Sequence, residues 1–513
     1  MVVAEGLPDL VGAAESRQKG DGEAMNARRI VLGTATGAGA LLALAVLPAG
    51  AAFAGTSVSV PCTDQTALVA AVNAANAAGG GTINLAAGCH YMLTTADNDE
   101  NGLPMVTTRV TVNGNGATMD GTGAVRVFEV DGPGGNLSLQ NVTITGGSAD
   151  IGGGIENAGG TVTLNHSQVT GNTATQAGGG IASATFDPST VAKLTLNNSA
   201  VTGNQQTFGP QDDNALGGGG IVNILGTVTL NGSQVNKNTA QGFVGGGIAN
   251  GDYFSFSETS SFLTLNSSQV NGNTAPNAGG GGIQDLLGSV TLNSSQVNGN
   301  TSLNGGGIAS GNGNGGIPPG TSHLMLSKSQ VNGNTATAPA PEPGSQGGPP
   351  IAAGGIANGG EAVLNSTQVD NNTASHTSGG GIVNHGTMTL NKSEVNGNTA
   401  AGTGVFASGG GIISAQGPPD AVATVLTLNN SKVNNNTAGG DGGGIANGVP
   451  LPGPMPLIGG QLTLNHSQVT GNTAAHGGGI FNNGGTVTLS ATSVTGNNPD
   501  NCEPPGTIPG CTG

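Results

Sequence analysis

Tryptophan is absent from this 513-residue chain, and its only tyrosines are Tyr91 and Tyr253. Phenylalanine adds ten more aromatic rings, for 2% of the chain in all, and sugar subsites favour stacking aromatics that so sparse a supply does not line up. Basic residues number 11 against 28 acidic ones, for a formal net charge of −17. That balance excludes the positive surface a nucleic acid or an anionic membrane needs in a partner. Charged residues make up 8% of the chain, and the acidic ones are scattered. Polysaccharide lyases and hydrolases need clustered carboxylates, usually with Arg or Lys, so a catalytic centre within the repeats is not expected. Helical periodicity is also missing from the repeats, which excludes leucine-rich and helical solenoids.

Glycine is what the chain has instead, at 98 residues. Without a G-X-Y period this is not collagen. Hydrophobic residues, 35% of the chain, fall in register, so it is not a disordered tract. The stretch GGGIENAGGTVTLNHSQVTGNTA, residues 152–174, returns ten more times in related form. Its core reads G-G-G-I-x-N, a variable gap, then T-L-N-x-S-x-V-x-x-N-T-A. The isoleucines run from Ile155 to Ile480, and the shortest spacing, Ile283 to Ile308, is 25 residues. Insertions such as 251–262 and 336–351 lengthen other repeats at the gap after G-G-G-I-x-N or the gap after N-T-A. A period in the twenties with insertions at fixed points marks a solenoid. In TVTLN, Val162 and Leu164 point one way and Thr161 and Thr163 the other, a strand period of two. Short strands between Gly and Asn predict a parallel β-helix of about fourteen coils. Each buried aliphatic side chain contributes about 1.5–3 kcal/mol, so one coil cannot stand alone but a stack can.

Asparagine falls in three columns. The most complete is Asn172, Asn204, Asn238, Asn273, Asn300, Asn334, Asn372, Asn398, Asn436, Asn472 and Asn497. A second runs from Asn165 to Asn465, and a third, sparser one from Asn157 to Asn482 with Ser or Asp at some rungs. Coils about 4.8 Å apart let each amide bond to the next, so a structural ladder is expected. Many of these asparagines also spell N-x-S, but a shared turn position favours the ladder over glycosylation. Outward ranks of threonine (Thr163 to Thr488) and glutamine (Gln168 to Gln468) read as polar β ladders. Ice or an extended polymer is the alternative ligand for the threonine rank. The file two residues earlier, from Thr161 through Lys193 and Phe262 to Thr486, is too irregular for the paired threonines that ice binding usually needs.

The chain divides into 1–54, an upstream extension and signal peptide; 55–135, an N-terminal cap and first coils; 136–498, the repeats; and 499–513, a proline-rich cap. Arg28 and Arg29, the apolar Ala38 to Leu47, and small Ala52 and Ala54 form an export signal with cleavage after Ala54 and a start at Met25. Val31 and Gly33 replace the Phe and Lys of a twin-arginine motif, which favours the general secretory route. No later segment is apolar for long enough to span a bilayer. A capping helix is expected after Thr63 or Asp64, with Leu68, Val72 and Ala75 on one face and Gly79 as its stop; TINL then begins the first strand. Four cysteines allow three pairings, and proximity favours Cys62 with Cys89 and Cys502 with Cys511 in an oxidising compartment.

The G-G-G-I and x-x-N-T-A pairs resemble the repeats of polymorphic outer membrane proteins, which carry GGA[ILV] and FxxN. More broadly the chain, over about residues 56–513, resembles the right-handed parallel β-helix, pectin-lyase-like proteins exported by actinobacteria. Val169, Val201 and Val235 stand where the outer-membrane family has Phe, and residues 499–513 do not read as its membrane barrel. The resemblance implies an all-β fold, a right-handed parallel β-helix solenoid with a short N-terminal capping helix. It also hints at adhesion and surface display.

Three places are candidate sites. DNDENG sets Asp97, Asp99 and Asn101 at the spacing of a calcium loop's first half. Thr108 stands where that loop needs Glu, so a solvated turn is expected. QDDN, 211–214, offers the pair Asp212 and Asp213 in an insertion. His166 and His466 fill the x of N-x-S, a solvent-facing turn. No cofactor is expected. The expectation is a secreted or cell-surface monomer, non-catalytic, structural or adhesin-like. Its partner would be an unidentified extracellular polysaccharide or protein. The alternatives are a polysaccharide lyase or glycoside hydrolase of the pectin-lyase-like fold, and an ice or polymer binder.

Overall fold

The computed structural model describes residues 56–62, 65–185, 187, 189–208, 217–242, 244–251, 261–311, 322–338, 351–416, 423–450 and 457–512. The export segment, Thr63, Asp64 and the pair Asp212 and Asp213 lie outside the described residues. Residues Gly55–Gly513 form a compact unit of their own.

Among the described residues the strands form three sheets, of 27, 14 and 10 strands. The first repeat shows how. Thr161–Asn165 and Gln168–Thr170 join the widest sheet, Thr173–Ala177 joins the narrowest, and Ile155–Ala158 joins the third. These are the wide, NTA and GGGI sheets below. Each strand pairs in parallel with its equivalent one coil on: Val162 lies opposite Leu194, Val169 opposite Val201, and Ile155 opposite Ile181. A hairpin, Gly448–Val449 with Leu457–Ile458, is antiparallel. The fold is therefore the all-β parallel β-helix that the repeat predicts. Val162, Leu164, Val169, Ala174 and Ile181 are fully buried, and one hydrophobic core runs from Val60 to Ile508.

The glycine triplet has a steric cause. Gly178 adopts φ 63°, in the left-handed region. A Cβ on the next residue, Gly179, would strike the carbonyl oxygens of Gln205 and Gly219. The coils there pass backbone against backbone.

The asparagine columns form hydrogen-bonded rows. Asn172 Nδ2 donates to Asn204 Oδ1 at 2.9 Å, and the buried row continues until Asn472 Nδ2 donates to Asn497 Oδ1 at 2.9 Å. The Asn165 row runs half-exposed along the rim, with Asn197 Nδ2 donating to Asn165 Oδ1 at 2.9 Å. In the third row Asn223 donates to Asn250 at 2.7 Å and Asn358 to Asn384 at 2.9 Å. Serine breaks it at Ser183 and Ser414, and the next rungs, Asn223 and Asn447, have a buried Oδ1 without a donor. A serine hydroxyl, shorter than an amide and with one proton, does not reach on to them.

Two more rows were not expected. The serines of N-x-S are buried: Ser167 N donates to Ser199 Oγ at 3.1 Å, and Ser199 Oγ donates to Asn197 O at 2.9 Å. A fourth asparagine file follows the buried valine, with Asn271 N donating to Asn236 Oδ1 at 2.9 Å and Asn396 N to Asp370 Oδ1 at 3.0 Å. Burial pushes the Asp370 carboxyl pKa up, despite the bond from Asn396.

At the N-terminal end helix α1, Gln65–Ala77, buries Leu68, Ala71, Val72 and Ala75. The expectation that the first strand follows this helix is corrected. Thr56–Val60 is already a strand, paired in register with Gly81–Leu85. Its TSVSV alternation suits a strand with one side on the core, and Val60 is buried. Disulfides join Cys62 to Cys89 and Cys502 to Cys511. The C-terminal cap also departs from expectation. Cys502–Glu503 adds one more rung to the GGGI sheet against Ile480 and Phe481 before the prolines end pairing.

Candidate functional site

The two sides of the solenoid differ. From the end of the T-L-N strand to the N-T-A strand the spacing is constant at eight residues, as from Asn165 to Thr173 and from Asn465 to Thr473. Uniform turns therefore join the wide sheet to the NTA sheet. Length varies only at the junctions flanking the GGGI sheet, such as Gly251 to Phe262, Ser310 to His323 and Thr337 to Ile356. The inserted stretches 209–216, 252–260, 312–321, 339–350, 417–422 and 451–456 lie outside the described residues.

Between those junctions the GGGI strands turn an apolar file outward, at the x of I-x-N. This file is covered. Ala182, Val222 and Ala249 pack with Ala177 and Ile224 in one buried cluster. Ala309, Ala357, Val383, Ile413 and Ala446 pack with Ala353, Ala415 and Val449 in another. Chain segments at the junctions are thus anchored on the sheet, by about 1.5–3 kcal/mol for each of Ile224 and Val449 and about 0.8 kcal/mol for each alanine.

Where this file begins, its outward residues are acidic. Glu129 and Glu156 face each other in register on adjacent coils. Between them lies Arg126, with its side chain 5% exposed. Its Nη2 is 2.8 Å from Glu156 Oε2 and 3.3 Å from Glu100 Oε2, and its Nη1 is 3.2 Å from Glu129 Oε2. Nη1 also donates to Asn101 Oδ1 at 2.6 Å, and Nε donates to Ile151 O at 3.1 Å. Buried guanidinium, matched carboxylates and filled donors make this a clamp fixing the 97–103 turn to the first coils. Glu129 and Glu156 carry charge on matching strands, contrary to the scattered acids expected. The members lie up to 56 residues apart, with Glu100, Arg126 and Glu129 in coils that precede the regular repeat and Glu156 in its first copy, so no spacing betrayed them.

The calcium-loop candidates are divided by this clamp. Asn101 is buried and turns its amide oxygen to Arg126, while Asp97 and Asp99 are exposed. Asp97 Oδ2 instead accepts from Asn98 Nδ2 at 3.0 Å. Among the described residues no group of three or more His, Cys, Asp or Glu side chains is placed to hold a metal ion. His166 and His466 are exposed, in left-handed turns at φ 49° and 51°. Exposed Met325 and Val363 interrupt the threonine rank side by side. At the C-terminal end His476 Nδ1 is 2.9 Å from Asp441 Oδ1. That bond, with the negative charge of Asp441, Glu503 and Asp500 nearby, holds the imidazole pKa above its usual range. His385 is the converse: burial lowers its pKa, with Nδ1 against Ala415 O at 2.8 Å.

Among the described residues no helix is long and apolar enough to cross a membrane. The chain matches no family model, no characterised protein and no solved structure to which it was compared.

Proposed function

We propose that the chain is an exported, non-catalytic structural or adhesin-like protein whose β-helix presents loops to an extracellular polysaccharide or protein. The observation that carries this is the confinement of insertions to the two junctions of one sheet, while the rest of the coil keeps constant length. Variable loops on a rigid scaffold are how binding specificity is ordinarily arranged. The polar rows support the same reading, because the repeat's Asn and Ser side chains are engaged with the next coil. Two disulfides are compatible with an extracellular setting. The resemblance to pectin-lyase-like helices and polymorphic outer membrane repeats belongs to this proposal.

The test uses residues 55–513 against neutral and acidic polysaccharides, with bound fraction and new chain ends recorded in the same samples. Binding without new ends is expected. New ends would overturn the non-catalytic reading.

One observation favours a second reading, glycoside hydrolysis. Glu129 and Glu156 face each other in register on adjacent coils, and two carboxylates flanking the scissile bond are what a glycosidase uses. Both, however, are bound to Arg126. Release of chain ends that disappears in the variants Glu129→Gln and Glu156→Gln would establish it. Release that survives would exclude this pair.

A further inference from the structure

One coil is interrupted on both faces of the GGGI sheet. On the inner face the amides of the third row donate forward, each to the next rung and to a backbone carbonyl. Asn157 Nδ2 donates to Lys193 O, Asn358 to Thr387 O and Asn384 to Val425 O, at 3.1–3.3 Å. At the rung after Asn250 stands Asp285, fully buried. Asn250 Nδ2 donates to its Oδ1 at 2.7 Å, and Ser310 Oγ donates backward to its Oδ2 at 3.3 Å. The carboxyl receives from both sides and ends the run. On the outer face its neighbour Gln284 stands in the apolar file, between the cluster that ends at Ala249 and the one that begins at Ala309. The backbone pairing runs through unbroken, so only the side chains are interrupted.

Among the described residues no countercharge faces Asp285. The strands stacked on it, Ile248–Gly251 and Ile308–Ser310, have no ionisable side chain, and neither do Phe262–Asn266 and Ser289–Asn293 of the same coils. The next T-L-N strand contributes His323, which is exposed and paired with Glu361 at 3.3 Å. Lys328, in the turn after that strand, is also exposed.

We propose that the coil containing Gln284 and Asp285 is a joint between two blocks of the solenoid, and that the proton on Asp285 is its latch. Protonated, the carboxyl sits in the row as a neutral group. Ionised, it is a buried charge held by two neutral donors, and the coil opens more often. The sign follows from burial, which raises this carboxyl from 3.8 to about 7. Closure is favoured below the ordinary carboxylate range, and that advantage is lost as pH rises through about 7.

The test is hydrogen exchange of residues 55–513, corrected for intrinsic rate, at about pH 5.5 and about pH 8.5. Peptides covering 280–311 are expected to lose about thirtyfold in protection relative to peptides covering 192–206, whose one ionisable side chain is Lys193. In Asp285→Asn, whose amide oxygen can accept from Asn250 and whose nitrogen can donate onward, that loss should vanish. Gln284→Ala should raise protection of the same peptides at both pH values while keeping the difference between them. Equal protection at both pH values in the parent chain would overturn the proposal, as would an undiminished loss in Asp285→Asn.

Discussion

Removal of one rung from the buried asparagine row tests whether these rows hold the fold or only decorate it. Asn334 is fully buried and shares in four side-chain bonds. Its Oδ1 accepts from Asn300 N at 2.9 Å and from Asn300 Nδ2 at 3.0 Å. Its Nδ2 donates to Val297 O at 2.9 Å and to Asn372 Oδ1 at 2.9 Å. In Asn334→Ala, Asn372 Oδ1 keeps the backbone N–H of residue 334 as a donor, and Asn300 Nδ2 keeps Val270 O. The amide of Asn300 and the carbonyl of Val297 lose these partners inside the core. At about 1–3 kcal/mol for each buried group left unsatisfied, with a small cavity added, the loss should be about 3–5 kcal/mol. Asn293→Ala is the control. It removes one rim bond, to Asn266 Oδ1 at 3.0 Å, from an exposed residue, and should cost about 1 kcal/mol or less. Urea unfolding of residues 55–513, followed by far-ultraviolet circular dichroism, reads both. Losses within about 0.5 kcal/mol of each other would refute the reasoning, because burial would then make no difference to the amide.

Arg126→Ala should cost about 3–5 kcal/mol, since it leaves Glu100, Glu129 and Glu156 without their shared cation, and limited proteolysis should then cut first within 97–103. Cys62→Ser, which opens a loop of 27 residues, should cost about 3 kcal/mol and lower the melting temperature, whereas Cys502→Ser should loosen only the terminal coil seen by hydrogen exchange. The His476–Asp441 pair raises the imidazole pKa, so its contribution is complete below about 6.5 and is lost as pH rises through the folded value. Protection of the last coil should therefore fall across that window, and His476→Gln should remove the fall.

Much of the fold was legible because stacking repeats each residue's environment. Ile155, Val162 and Leu164 recur at fixed offsets and are buried, and Asn172 recurs because each copy bonds the next. What escaped did so for identifiable reasons. From sequence the N-x-S is assigned to an asparagine ladder and its serine given no part, whereas the Ser167 hydroxyl is engaged with Leu139 and Asn165 carbonyls. The outward file of Ala182 and Val222 looked variable, since nothing in a repeat tells which outer face the residues at its junctions will cover. Thr56–Val60 is short and stands apart from the regular repeats, so only its pairing with Gly81–Leu85 identifies it. The Arg126 clamp joins residues that approach only through stacking of irregular first coils. Asp285 was visible as a departure from Asn, but its meaning depends on complete burial, which composition does not convey.

The central claim is that the repeat is scaffold and the junctions of the GGGI sheet are the working surface. It is tested by comparing two variants of residues 55–513 on the polysaccharide panel. In one, 252–260 and 339–350 are trimmed to the length of the shortest repeat. In the other, outward residues of the wide sheet, Thr264, Gln269, Thr291 and Gln296, are changed to Ser. The account expects binding to fall at least about tenfold in the first variant and to hold in the second, with both retaining the parental circular dichroism spectrum. Binding that survives trimming but is lost with the wide-sheet changes would contradict it.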